Sequence, residues 1–176
     1  MKSLPLCYFP DGILFQECEP VTEVTDEIRA LAQDMIFTMM VEKGIGLAAP
    51  QVGKLLRIFV TDVEWPKGIE QADPQVFINP VLTLKGPIIQ SVEGCLSFPG
   101  ENAEVGRSKE VFVQALGLDG QEFTMEADGV LAVVIQHEND HLEGKTFSDH
   151  LSWLRKNEVQ KRVKKKLRSL RKSAKR

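Results

Sequence analysis

Apolar residues recur three and four positions apart between Asp26 and Lys43: Ile28, Leu31, Ala32, Met35, Ile36 and Met39. That spacing places them on one face of an α-helix. Asp26 and Glu27 in the first turn and Lys43 in the last suit the helix dipole, and Gly44 is the expected stop. The methionines read as core filler. Gly44 to Gly53 (GIGLAAPQVG) is too irregular for a helix and reads as a loop. Arg57 to Val63 reads as a strand, and residues 64–74 as a polar, turn-rich excursion. Val76 to Leu84 carries strand residues, with Asn79-Pro80 favouring an edge or a bend, and Ile88 to Val92 is a further strand. Val111–Leu116 and Gln121–Met125 flank Leu118–Gly120 as a hairpin. A second helix is expected from near Asp128 to just before Gly144; Val130 to Ile135 is apolar all round, so this helix should be central and buried. A third runs from Ser152, a suitable N-cap, to about Lys172, with Leu154, Val159, Val163, Leu167 and Leu170 as a narrow apolar stripe against a basic face. Without regular βα alternation, the pattern predicts an α+β fold. The expected architecture is a single domain of short antiparallel sheets around a central buried helix, flanked by an N-terminal helix and a basic C-terminal one.

The length of 176 residues suits one hydrophobic core. An apolar share of 43% and a charged share of 27% belong to globular chains, not to disordered or low-complexity ones. The longest apolar run, Val130 to Ile135, falls far short of the roughly 18 residues of a membrane helix. The N-terminus MKSLPLCYFPDG lacks the apolar run of about 7–15 residues that a signal peptide needs. The chain is therefore read as cytoplasmic, with no membrane partner.

Charge is distributed unevenly. Arg155 to Arg176 holds twelve Lys/Arg against Glu158 alone, a net of +11, which leaves ten basic and 24 acidic residues, a net of −14, on positions 1–154. A basic tail of this kind suits a polyanionic partner. Residues 1–150 are accordingly read as the acidic body and 151–176 as the basic tail of the same domain. Cys7, Cys18 and Cys95 are odd in number and scattered, a poor disulfide framework. Any special role for a cysteine is then metal binding or nucleophilic chemistry.

The strongest chemical signal is His137-Glu138-Asn139-Asp140-His141. Side chains at i and i+4 share a helix face, about 5–6 Å apart at Cβ. Two imidazoles so placed both reach one metal ion, while Glu138, about 100° round the helix, stands beside it as a base for a metal-bound water. With three His and sixteen Glu in the chain, chance supplies only about 0.005 such matches. A catalytic centre also needs a third protein ligand and an open position. Among metallopeptidase frames, one requires a His at the position held by Phe147, and His150 comes too late; another uses a downstream acid, of which only Glu158 lies beyond Asp149. The alternative is Cys95, in Glu93-Gly94-Cys95-Leu96-Ser97, since thiolate with two imidazoles suits Zn, Fe(II), Ni or Co.

Three segments, Gly44–Gln51 (GIGLAAPQ), Glu93–Ser97 (EGCLS) and Gln136–Gly144 (QHENDHLEG), resemble the three motifs of the peptide deformylases, in order. The likeness extends over nearly the whole chain and includes the C-terminal helix of the bacterial type. It implies one catalytic Fe2+ per chain, replaceable by Zn2+, Ni2+ or Co2+, held at Cys95, His137 and His141. The implied reaction removes the formyl group from N-formylmethionyl peptides, with Glu138 as general base and then acid. Gln51 and the backbone N–H of Leu96 would donate to the developing oxyanion. Ile45, Gly46 and Gly94 would bind the peptide, and Val133 and Val134 would line the methionine pocket. The basic helix has two readings, a solvated terminus or, since family members meet nascent chains there, a surface that docks to the ribosome; the acidic body argues against sequence-specific nucleic-acid binding. Asp140 and Glu93 are candidates to support the ligands, with Arg107 pairing to Asp140. One departure is that many deformylases carry an Arg near the position of Asn102. The competing reading is a metallopeptidase using the same helix.

Overall fold

The computed structural model describes residues 1–173, and a five-stranded antiparallel sheet in the order β1-β2-β3-β4-β5 organises it. The strands are β1 (Gly46–Ala48), β2 (Ile58–Thr61), β3 (Gln75–Gly94), β4 (Asn102–Leu116) and β5 (Glu122–Asp128). The helices are α1 (Asp26–Val41), α2 (Gly129–Leu142) and α3 (Trp153–Ser173). The α+β class and the three helices stand as expected. Of the basic tail, residues 174–176 lie outside the described residues.

The strands differ from expectation in three places: β1 forms within the stretch read as a loop, by pairing with β2, and two further differences have local reasons. The stretches Val76–Leu84 and Ile88–Val92 form one continuous strand, β3, of 20 residues. Its pairing with β4 shifts register between Ile78 and Val81 and between Lys85 and Ile88. These bulges absorb Pro80 and the Gly86-Pro87 step and bend the strand without ending it. Asn79, at φ 51°, turns its amide to Val21, accepting from the backbone N–H and donating to the carbonyl, both at 2.8 Å. β4 begins at Asn102, well before Val111. Ala103, Val105 and Arg107 alternate inward there, and the buried arginine disguises the strand period.

Three apolar clusters seat the helices. Ala132, Ile135 and Leu142 of α2 pack on Phe59, Phe77, Val111 and Val113 of the sheet. Met35, Ile36 and Met39 of α1 pack on Leu47, Ile58, Val60 and Ile78, so the methionines are core as expected. Each such side chain contributes about 1.5–3 kcal/mol on burial. Val159 and Val163 of α3 lie with Phe9, Phe98 and Phe147 in a third cluster that reaches Cys95. Ser152 caps α3, its hydroxyl accepting from the Arg155 N–H at 3.5 Å.

The stop of α1 corrects the expectation placed on Gly44. Lys43 adopts the left-handed conformation, φ 59°, and the Gly44 N–H donates to Met39 O at 2.8 Å. Gly44 serves another purpose: a Cβ there would lie 2.8 Å from Leu96 Cδ1. Its missing side chain lets the segment leading into β1 close against the segment that carries Cys95.

Candidate metal centre

α2 is buried nearly all round from Ala132 to Glu138, so its polar residues emerge into the interior. Buried polar groups need partners. His137 and His141, one turn apart, hold their ring centroids at 5.2 Å. The turn after β3 brings in the third donor. Phe98 N–H closes on Cys95 O at 2.9 Å and Glu101 N–H on Phe98 O at 3.2 Å, which folds the connection back and points Cys95 at the helix. Its Sγ stands 3.3 Å from His141 Nε2, and the ligand atoms of Cys95, His137 and His141 all lie within 4.8 Å of one another. His150 is elsewhere, with Nε2 2.7 Å from Asp140 Oδ2, and Glu158 pairs with Arg155 on the surface.

Charge around the cluster is set by a buried network. Glu93, at the end of β3, meets His137 Nδ1 at 2.8 Å and takes both prongs of the Arg107 guanidinium at 2.7 and 2.9 Å. Arg107 also donates to Asp140 at 2.6 Å. Burial opposes a charged Glu93, but Arg107 and His137 together hold its pKa down to about 2. With Glu93 on Nδ1, the other nitrogen of His137 faces the cluster. Burial works against a positive His137, yet the Cys95 sulfur and the Glu93 carboxylate raise its pKa well above the ordinary value. Burial and the His137 charge lower His141 to about 3, which leaves it the neutral imidazole that ligates metals. The cluster therefore favours one added positive charge, and its sulfur and nitrogen donors fit a divalent transition ion.

Glu138 lies beside these donors, 4% exposed, and burial pushes its carboxyl up to about 7. Its Oε2 has no hydrogen-bond partner among the described residues. Gln51 comes from the short 3-10 helix Ala49–Val52 that replaces the expected loop. Its Oε1 accepts from Ala48 N–H at 2.8 Å, so its Nε2 faces Ser97 Oγ at 3.2 Å and Cys95 Sγ at 3.5 Å. A groove of about 810 Å³ opens over the cluster. Ile45, Gly46, Gly94, Leu96, Val133 and Val134 line it, together with Gln51, Cys95, His137 and Glu138; His141 lies behind. All eleven residues singled out from the sequence thus converge on one region.

A sequence profile of the polypeptide deformylase family matches residues 3–157. A peptide deformylase of Acinetobacter baumannii (strain SDF) is 46% identical over 172 residues, covering 96% of this chain and 94% of that protein. This chain belongs to the peptide deformylase family. The crystal structure of a peptide deformylase from Legionella pneumophila superposes with a TM-score of 0.89 at 35% identity, covering 96% of this chain and 97% of that one. The structure from Ehrlichia chaffeensis in complex with actinonin does so at 0.89 and 38%, covering 94% and 98%.

Within this deformylase, two features of the site were not anticipated. Ser97 is fully buried and anchors the Gln51 amide, and His150 joins the Arg107–Asp140 pair. A buried serine and a distant histidine carry no periodic signal, so only proximity reveals them. Asn102 packs its Oδ1 where a Gly94 Cβ would be, at 2.6 Å, and lines the groove. Gly46 is tighter still, since a Cβ there would lie 2.4 Å from Glu138 Oε1 and 2.8 Å from Val134 Cγ1. A Gly46→Ala variant is expected to displace the Glu138 carboxylate, lower kcat by more than about tenfold, and cost about 1–3 kcal/mol through overpacking. Formate release and thermal melting check both effects.

Proposed function

We propose that this chain removes the formyl group from the N-terminal formylmethionine of newly made peptides, releasing formate. The observation that carries this reading is one sulfur and two imidazoles grouped beside an unpartnered, buried carboxylate at an apolar groove. Cys95, His137 and His141 would hold a single divalent ion. When bound, such an ion would supply Lewis acidity at the formyl carbonyl and at the attacking water. Glu138, with its pKa raised to about 7, is matched to take a proton from the attacking water at its free oxygen and return it to the leaving amine. Gln51, with its Oε1 tied to Ala48, aims its amide N–H group at the cluster, where it stabilises the oxyanion alongside the N–H of Leu96. Val133 and Val134 offer an apolar wall to the methionine side chain, and Ile45, Gly46 and Gly94 offer backbone to the peptide. Actinonin, the ligand of the Ehrlichia structure, would occupy the same groove.

Formate production from formyl-Met-Ala-Ser, set against cleavage of Met-Ala-Ser, is the direct assay. Release of formate with the peptide bonds intact is expected; peptide cleavage without formate favours the metallopeptidase. Cys95→Ser separates them independently. It should lose bound metal by at least about tenfold in affinity together with turnover, whereas a peptidase with another third ligand keeps both.

The ion is proposed to be Fe2+, which beside a thiolate is prone to oxidation, as is the sulfur itself. Anaerobic purification with elemental analysis and an air-exposure time course should show iron and a loss of activity in air; undiminished aerobic activity argues for zinc. We place the enzyme in the cytoplasm on the reading of its N-terminal sequence; separately, no described helix is long and apolar enough to cross a membrane. Residues 1–150 form its catalytic unit and 151–176 its basic helix and tail. The exposed face of α3 carries Lys161, Lys164, Lys165 and Arg168, a surface suited to ribosomal RNA. Cosedimentation with ribosomes that falls steeply with added salt is the expected result.

A further inference from the structure

The polar excursion at 64–74 takes no part in the chemistry above, yet one of its side chains holds a residue that lines the groove. Among the described residues, β1 stands at the end of the sheet and pairs with β2 alone. Gly44 and Ile45 lead into its first residue, Gly46, and all three line the groove, so this unpaired backbone edge borders it. An extended peptide is recognised along such an edge by backbone hydrogen bonds. From the other side, two carbonyls of this stretch are held by a single turn. The Asp62 N–H donates to Ile45 O at 2.9 Å, and the indole N–H of Trp65 donates to Gly44 O at 2.6 Å. The turn is itself fastened. Buried Asp62 accepts through Oδ1 from the N–H groups of Glu64 at 3.0 Å and Trp65 at 2.9 Å. The half-buried Trp65 ring packs against the cluster that contains Met39 and Leu47.

A trans peptide unit is planar, with its C=O and the following N–H pointing in opposite directions. Pinning the Gly44 carbonyl toward Trp65 aims the Ile45 N–H the opposite way. We propose that Trp65 is a positioning residue for peptide binding, its indole N–H setting the orientation of the Gly44–Ile45 peptide unit and so the alignment in which the edge receives the substrate backbone. This rests on the reading of the groove as the site for formylated peptides. The hydrogen bond acts on the edge before and during reaction alike, so its loss weakens binding without slowing the chemical step.

The test uses the full-length, metal-loaded enzyme with formyl-Met-Ala-Ser. Trp65→Phe keeps a ring and removes the donor; benzothienylalanine at position 65 keeps the indole shape and removes only the N–H. KM should rise about two- to tenfold in both, as expected for one neutral hydrogen bond, with kcat within about twofold of wild type. An unchanged KM in the benzothienylalanine enzyme, or a matching fall in kcat, overturns the proposal. Absence of formate release by the wild-type enzyme overturns the deformylase reading instead.

Discussion

Glu138→Ala or Glu138→Gln lowers formate release by about a hundred- to ten-thousandfold while leaving the bound metal near one ion per chain. General acid–base groups contribute on that scale, and among the described residues no hydrogen bond ties Glu138 to Cys95, His137 or His141. Metal content by elemental analysis and kcat on formyl-Met-Ala-Ser are measured together; loss of metal in step with activity would reassign Glu138 to a structural role. A second consequence has the opposite sign. Burial raises the Glu138 carboxyl to about 7, above its ordinary 4.5. The unfolded chain therefore ionises first, and the folded state bears a cost that grows as pH rises from about 4.5 through 7. In metal-stripped protein, Glu138→Gln should be more stable than wild type at pH 8, by roughly 1–3 kcal/mol, and no more stable near pH 4. A variant that loses activity and gains stability cannot have failed through misfolding.

Arg107→Leu should be the most destabilising single change near the site. The guanidinium is 4% exposed and neutralises two carboxylates, Glu93 at 2.7 Å and Asp140 at 2.6 Å. Removing it leaves buried charge unpaired, which costs about 3–5 kcal/mol. For a domain of this size that is a fall in melting temperature of roughly 8–15 °C. Metal affinity should drop about ten- to a hundredfold as well, because Glu93 orients His137. The pH dependence follows from Glu93, whose folded pKa of about 2 lies below its ordinary 4.5. Its contribution, roughly 2–3 kcal/mol, is present above pH 4.5 and disappears as pH falls toward 2. Without Arg107 the folded pKa rises, so acid unfolding should begin at higher pH. Denaturant melts at pH 7 and pH 3.5 check this: the gap between wild type and variant narrows at the lower pH, and a gap independent of pH would place the effect of Arg107 in packing alone.

Much of this protein was legible in one dimension because its helices signal themselves by spacing. The three-and-four recurrence from Ile28 to Met39 and the unbroken apolar run at Val130–Ile135 mark a half-buried helix and one buried from Ala132 onward, although Val130 itself stays exposed, since burial selects apolar side chains at the helical period. His137 and His141 needed no tertiary information to be paired, because one helical turn brings them together wherever the helix lies. β3 was less transparent. Asn79-Pro80 and Gly86-Pro87 resemble strand ends, and only pairing with β4 turns them into bulges of one long strand. Arg107, polar at an inward position, concealed the first half of β4 for the same reason that makes it important: its partners Glu93 and Asp140 are distant in sequence.

By itself, then, the chain determined its helices, its acidic body and basic tail, and the metal-ligand pair within α2, all of which follow from local periodicity and composition. Tertiary structure decided that Cys95 stands 3.3 Å from His141, that Glu93 and Arg107 hold a charge beneath His137, and that Trp65 grips the carbonyl of Gly44. These contacts join residues far apart along the chain, and no periodic rule encodes them. They exist only because burying apolar surface brings α2, the β3–β4 turn and the edge of β1 together at one groove.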